Sequence, residues 1–294
     1  MHSPWSRHLV GGLVVTYVEL GLDDEIRLDR LQHPGRNLAH LGGGCSGGKI
    51  VVHSALTSFG RIPGSERTVL RILTEVLGQR GVLVVPTFTF ELRPSAPFNR
   101  LSEKPTGMGA LSNLVWNLDQ STRTRSCIHS YASIGGLVEE MKNVRDDCSF
   151  GSGSFFDLAV ENNLLWVMLG CGINYGCTLL HHAEEIAGVP YRRMVYLPRN
   201  LEEEDGSIKR IRYRYYARDE ENPRKNDFSR LQERMLAEGT MTAVEALHGT
   251  SYSAYSSDIA ACATKLLEAD PYVLTNAITL GNGEGDSAEL SAGC

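Results

Sequence analysis

No apolar run in this 294-residue sequence approaches the ~18 residues that a membrane-spanning helix requires. The seven cysteines are scattered, odd in number and without a single C-x-x-C pair. That spacing offers neither a paired-thiolate zinc site nor a dithiol redox motif, and it predicts reduced thiols in a cytoplasmic protein. Positive charge is not in excess: 29 Lys and Arg face 35 Asp and Glu, a net charge of −6. A general nucleic-acid binder is thereby disfavoured, and a cationic small molecule is an admissible partner. There is no H-E-x-x-H motif and no internal repeat. The N-terminal stretch MHSPWSRHLVGGLVVTYVEL has only the short apolar patch LVGGLVV, and no clean small-residue cleavage site follows it.

What is present suits one large or two small globular domains, with 42% hydrophobic and 22% charged residues. KIVVHSAL (49–56) and GVLVVPTFTF (81–90) read as buried strands. Between them SERTVLRILTEVLG (65–78) is an amphipathic helix, with Ser65 as its N-cap and Gly78 as its stop. Strand, helix, strand at this length predicts a crossover unit and a parallel sheet with helices packed on it. A long loop follows at 91–107, and LLWVMLG (164–170) is another buried strand. MVYLPRNL and SIKRIRYRYYAR flank EEEDG as a hairpin, and Arg210, Arg212 and Arg214 read as a solvated stripe on it. DFSRLQERMLAEG and SDIAACATKLLEADPYVL are two further helices, and the Gly-rich acidic end from 277 to 294 reads as a disordered tail.

Two motifs fail on context. GGCSGGK nearly matches a phosphate-binding loop, and GCSGG fits G-x-S-x-G around Ser46. Both precede a strand, whereas each motif must follow one and open a helix.

The stretch CTLLHHAEE (177–185) carries the chemistry-bearing residues. Thr178 is placed to cap a helix from Leu179, which Gly188 and Pro190 stop. Leu179, Leu180, Ala183, Ile186 and Ala187 fall on one side and the two His and two Glu on the other, towards a cleft or water. His181 and Glu184 stand at i, i+3, as do His182 and Glu185. Either pair suits a general base held by a carboxylate. Helical periodicity does not choose between them, and a solvated polar face is the alternative for both.

Six blocks in order resemble the aminoglycoside 3-N-acetyltransferases and their relatives, over roughly residues 49–276. They are VVHSALTSFGRIPGS, VLVVPTFTF, MGAL, HSYASIG, FGSGSFFDL and TLLHHAEEIAGVPYR. The resemblance implies an acetyl-CoA-dependent N-acetyltransferase acting on an amine by direct attack in a ternary complex. It implies one catalytic α/β domain over 49–276, with a mixed, largely parallel central sheet and helices on both faces, preceded by an extension over 1–48. Acetyl-CoA is the co-substrate and no metal is needed. By the family's T-x-x-H-x-x-E spacing, His181 is the general base, Glu184 its partner and Thr178 a stabiliser of the oxyanion. The donor side falls to His53, Ser54, Ala55, Leu56, Thr87, Phe88, Met108, Ser130 and Tyr131, with Ser130 and Tyr131 lining the pantetheine channel. A helix N-terminus after Leu56 would receive the pyrophosphate. A polycationic acceptor wants carboxylates, and EEED (202–205), Asp219, Glu220, Glu221 and Asp227 are available. The expected partner is a small-molecule amine, without nucleic acid or membrane, for a monomer or homodimer. The chain departs from the family pattern at Ala55, Asn113, Trp116 and Cys127, which touches acceptor and CoA contacts but not the catalytic helix. The rival readings are acylation of a non-aminoglycoside amine and CoA binding without catalysis.

Overall fold

The structure, a computed structural model, describes residues 47–277. The expected crossover unit opens it: strand β1 (Lys49–Ser54), helix α1 (Ser65–Leu77), strand β2 (Val82–Pro86). The chain then passes through β3 (Pro97–Phe98), α2 (Gly109–Trp116), β4 (Thr122–Arg123), β5 (Tyr131–Ile134), α3 (Val138–Asn143) and α4 (Phe155–Glu161). Next come β6 (Leu165–Leu169), α5 (Ile173–Gly176) and α6 (Leu179–Ala187). The last part holds β7 (Arg192–Glu202), β8 (Ile208–Arg218), β9 (Arg224–Asn226), α7 (Ser229–Glu238), β10 (Met241–Ala246), β11 (Gly249–Tyr255), α8 (Ser256–Ala269) and β12 (Thr275–Ala277).

The main sheet runs β10-β11-β6-β1-β2-β5-β4. Its centre is parallel, β1 pairing with both β2 and β6. The flanking strands join antiparallel, so the sheet is mixed around a parallel core. Successive residues on a strand point to opposite faces, and this splits the interior in two. Ile50, Val52, Leu83, Val85, Val167 and Leu169 face α1 and α2. Val51, Val82, Val84, Trp166 and Met168 face the layer of α4, α6 and α8. A strand covered on both sides needs apolar residues at every position, which is why these segments read as unbroken hydrophobic runs.

β7 and β8 form the expected hairpin, Asp205-Gly206 at its turn, in a separate sheet with β3. Two local expectations need correction. Gly64, in the left-handed region at φ 75°, occupies the N-cap of α1, and Ser65 is its first residue with no capping hydrogen bond. Ala277, assigned to the tail, pairs with Arg224 in β12. The remainder of the tail, and all but the last two residues of the 1–48 extension, lie outside the described residues.

Candidate active site

The three central parallel strands end on one edge of the sheet, at Ser54, Pro86 and Leu169. Ligands of open α/β sheets gather outside such carboxyl ends. From β6 the chain runs through α5 into α6, bringing the His-rich helix to that edge. Leu179 and Leu180 are fully buried, as their side of the helix requires. The opposite side departs from the expected cleft or solvent exposure. His181, His182 and Glu184 are 3%, 6% and 0% exposed, whereas Ile186, placed on the apolar side, is 62% exposed. Polar groups can be buried in this way only when other parts of the chain bring partners to them.

His181 Nδ1 lies 2.7 Å from Glu184 Oε2. Tyr191 donates its hydroxyl to Glu184 Oε1 at 2.9 Å. Arg192 Nε stands 2.7 Å from Oε2, but its N–H is not aligned on that oxygen, so this contact is an ion pair rather than a hydrogen bond. Arg192 Nη2 also reaches His181 Nδ1 at 3.0 Å. The two contacts of Nδ1 compete for one tautomer. A bare Nδ1 would set a lone pair against a carboxylate oxygen at 2.7 Å, whereas an Nδ1–H donates to it. The carboxylate therefore holds the proton on Nδ1 and leaves the lone pair on Nε2, the arrangement of a base oriented by a carboxylate.

The electrostatics keep that base neutral. Burial lowers the His181 pKa below its ordinary value, Arg192 lowers it further, and Glu184 opposes both. A lone carboxylate would raise it, but here the neighbouring guanidinium cancels most of that charge. Burial alone would raise the Glu184 pKa, yet Arg192, His181 and the Tyr191 hydroxyl together hold it below the usual carboxylate range.

The second pair is not a pair. His182 Nδ1 accepts the Gly151 backbone N–H at 3.1 Å. Glu185 turns away to an ion pair with Arg214 at 3.2 Å. Arg214 is accordingly half-buried, and only Arg210 and Arg212 keep the solvated stripe expected of all three.

Thr178 precedes the helix, but its side chain makes no capping bond. It acts on the Tyr131 phenol instead, opposing the rise that burial gives that group's pKa. The N–H groups of Leu180 and His181 are bonded to Cys177 and Thr178 carbonyls at 3.1 and 3.0 Å.

On the donor side the structure separates backbone from core. Ser54, Ala55 and Leu56 lie half-buried at the end of β1. The turn after them is only a four-residue 3-10 helix, Leu56–Phe59, and the Ala55 N–H is already bonded to Leu169 O at 2.9 Å. A full helix N-terminus for the pyrophosphate is therefore absent directly after Leu56. Met108 is half-buried, and next to it Gly109 leaves a side-chain-free gap opposite the Ser54 carbonyl. His53 is buried, its ring stacked on Trp166 at 5.3 Å, and burial pushes its pKa down to about 3. Ser130 and Tyr131 are fully buried, which corrects their placement as channel lining. Thr87 and Ser130 bond each other at 3.1 Å, and Ser130 also accepts from Arg123 Nε at 3.0 Å. Phe88 sits beyond the end of β2, in edge contact with His129 at 4.8 Å.

Of the acceptor candidates, Asp219 is tied to Tyr191 through its backbone, Asp219 N–H to Tyr191 O at 3.0 Å. Glu220 and Glu221 are exposed on the same turn. Asp227 accepts the Ser229 N–H at 3.1 Å and lies between Asn226, which reaches Arg192 at 3.4 Å, and Phe228, whose ring is 5.8 Å from His181. In EEED, Glu203 and Glu204 are engaged by Arg125 and Arg100.

Sequence reasoning assigned no role to Tyr191, Arg192, Phe150 or His129. Tyr191 and Arg192 do stand in the last matched block, as the Tyr-Arg of GVPYR, which was the available signal. Phe150 packs edge-on to His181 at 5.8 Å and tilts over His129 at 4.7 Å. His129 bonds Ser149 Oγ through Nδ1 at 2.8 Å, and its buried Nε2 has no partner.

Known proteins share this fold and sequence pattern. A sequence profile of the family described as aminoglycoside 3-N-acetyltransferase matches residues 51–268. The chain is 27% identical to aminoglycoside N(3)-acetyltransferase VII of Streptomyces paromomycinus, over 54% of this chain and 62% of that protein. It thus spans less than two thirds of that relative's length. Among solved structures, one described as AAC-IIIb binary with CoASH superposes with a TM-score of 0.65 at 21% identity, covering 76% of this chain and 90% of the other. The apoenzyme of aminoglycoside acetyltransferase AAC(3)-IVa gives a TM-score of 0.65 at 24% identity, covering 86% and 93%. At such identities these likenesses establish the fold. The profile match across most of the sequence goes further: the chain belongs to the aminoglycoside 3-N-acetyltransferase family.

Proposed function

We propose that this protein is an acetyl-CoA-dependent N-acetyltransferase whose acceptor is an amine of an aminoglycoside or a similar amino-sugar compound. The observation that carries the reading is the His181–Glu184 contact at 2.7 Å in a buried site, in a chain of this family. The acceptor nitrogen attacks the thioester carbonyl, forming N–C as C–S breaks. His181 Nε2 takes the proton that the nitrogen must lose, and the departing CoA thiolate is protonated. Positioned general bases of this kind contribute about 10²–10⁴-fold. Glu184 holds the imidazole tautomer and stabilises the imidazolium that forms. Thr178 supports the oxyanion side, and the Ser54–Leu56 turn with Met108 receives the acyl donor at the sheet edge.

Asp219, Glu220, Glu221 and Asp227 supply carboxylates to the acceptor side in this reading. A second reading has its own support: Arg192 and Arg218 both act on His181, and cations there favour an amine that also bears negative charge. CoA release from acetyl-CoA, measured across aminoglycosides, amino sugars and amines with an attached anionic group, tests both. Turnover confined to the anionic amines would overturn the aminoglycoside reading. Acetyl-CoA binding without turnover on any amine would overturn catalysis altogether.

A further inference from the structure

We propose that His182 and Glu185, acting with Arg214, are positioning residues that seat Phe150 against the His181 imidazole. This rests on His181 being the catalytic base.

The segment Asp147–Gly151 has no regular structure of its own. It is held to β8 by Ser149 N–H to Arg214 O at 3.0 Å and Arg214 N–H to Asp147 O at 2.7 Å. Arg214 Nη2 then donates to Phe150 O at 3.0 Å while pairing with Glu185 at 3.2 Å. From α6, His182 Nδ1 takes the next amide, Gly151 N–H, at 3.1 Å. Both ends of the peptide group that follows Phe150 are thus held, its C=O by Arg214 of β8, which Glu185 pairs, and its N–H by His182 of the helix that carries the base. Gly151 is at φ +78°, and a Cβ there would overlap Glu185 Oε1 and Arg214 Nη2, so the loop closes directly over the ion pair. The outcome is the Phe150 ring edge-on to His181.

The ion pair is a poor device for stability. Glu185 Oε2 and Arg214 Nε are buried without hydrogen-bond partners, and a buried pair with unmet groups recovers little of its desolvation cost. Its geometric product is the placement of Phe150. That ring is part of the apolar wall which keeps water from His181, and burial is the first cause of the base's lowered pKa. The charged and titratable groups acting on His181 are Glu184 on its own helix, itself held by Tyr191, Arg192 on β7, Arg218 on β8, and His129 before β5. Glu185 is not among them, so its effect must pass through Phe150.

The test is an NMR titration of the His181 ring in the full chain without substrate, with His181→Gln to assign the signal. In Glu185→Gln the midpoint should rise by roughly 0.5 pH unit or more, because water gains access to the imidazole. Loss of a negative charge alone would move it down. Gly151→Ala separates the same ion pair with both charges kept, and it should also move the midpoint up. It carries the test where Glu185→Gln does not melt cooperatively. The acid limb of kcat/KM should follow the titration, with KM for acetyl-CoA changed less than about threefold. A midpoint unmoved or lowered in either folded variant overturns the proposal. A raised midpoint in a protein that acetylates no amine keeps the positioning and refutes the transferase reading instead.

Discussion

Gly151 donates its backbone N–H to Nδ1 of His182 at 3.1 Å, and this bond gives two adjacent histidines opposite tautomers. His182 accepts at Nδ1 and so carries its proton on Nε2. His181 donates from Nδ1 to Glu184 and keeps its lone pair on Nε2. Nitrogen chemical shifts at pH 7.5, a pH at which ordinary histidine (pKa about 6.5) is neutral, should show protonated Nδ1 for one ring and protonated Nε2 for the other. Two rings with the same tautomer would contradict the assignment of the base.

His181→Ala should lower turnover by about 10²–10⁴-fold while calorimetry still detects acetyl-CoA binding. His182→Ala disturbs only a supporting contact, and its loss should be smaller by at least about tenfold. The reverse ranking would move the chemistry to His182.

Arg192→Met leaves Glu184 as an uncompensated buried carboxylate. Breaking such a pair costs about 3–5 kcal/mol, to be read from urea midpoints. Arg192 also holds the His181 pKa down, so the acid limb of activity should move to higher pH in this variant. A limb that stays in place would show that Arg192 does not govern the base.

Among the described residues, four buried histidines set the acid behaviour of the fold. Burial lowers the pKa of His53 to about 3, and those of His129, His181 and His182 also lie below the ordinary value. Below the unfolded pKa of about 6.5 the unfolded chain binds more protons than the folded one, so stability falls as pH drops. Above it these groups contribute no slope. Urea midpoints should therefore be flat in pH just above neutrality and decline below about pH 6.5. His53→Gln should flatten the lower part of that decline, towards pH 3.

Arg123, buried at 3% exposure, donates to the carbonyls of Thr87, Arg100 and Glu103 and lies under the rings of Phe98 and Trp116. It staples the long loop between β2 and α2 to β4. Arg123→Met should expose that loop to limited proteolysis between residues 99 and 106, with the first cuts there. Equal protection in the variant would refute the staple.

The strands of the parallel core were legible as unbroken apolar runs, the hairpin by its Asp-Gly turn, and the span of α6 by the residues that stop it, Gly188 and Pro190. The two His–Glu pairs were not separable, because both occupy equivalent positions on the helix and differ only in what packs on them. The His181–Glu184 pair meets Tyr191, through Glu184, and Arg192 from the start of the hairpin, whereas His182 meets Gly151 from a loop 31 residues earlier. Counting from Thr178 in the family motif selected His181, whose Nδ1 lies 2.7 Å from Glu184 Oε2. Hydropathy also misjudged α6, for it assumes that polar side chains seek water. His181, Glu184 and Arg192 found partners inside, and Ile186 was left outside. Ser130 and Tyr131 were expected as lining because they match a block of the family, HSYASIG, but Arg123, Thr87 and Phe155 fill the space around them.

The ion pair between Glu184 and Arg192 also ties the site to the order of folding. Glu184 stands on α6, which follows the central strand β6, and Arg192 enters on the first residue of a hairpin belonging to another sheet. Until the hairpin docks, the carboxylate must stay hydrated or take up a proton, and the imidazole tautomer is not held. In refolding experiments, helical signal should therefore not by itself restore the base, which appears only once the hairpin has docked. Fragments ending before residue 192 would contain every residue of the His–Glu dyad and still lack its charge balance.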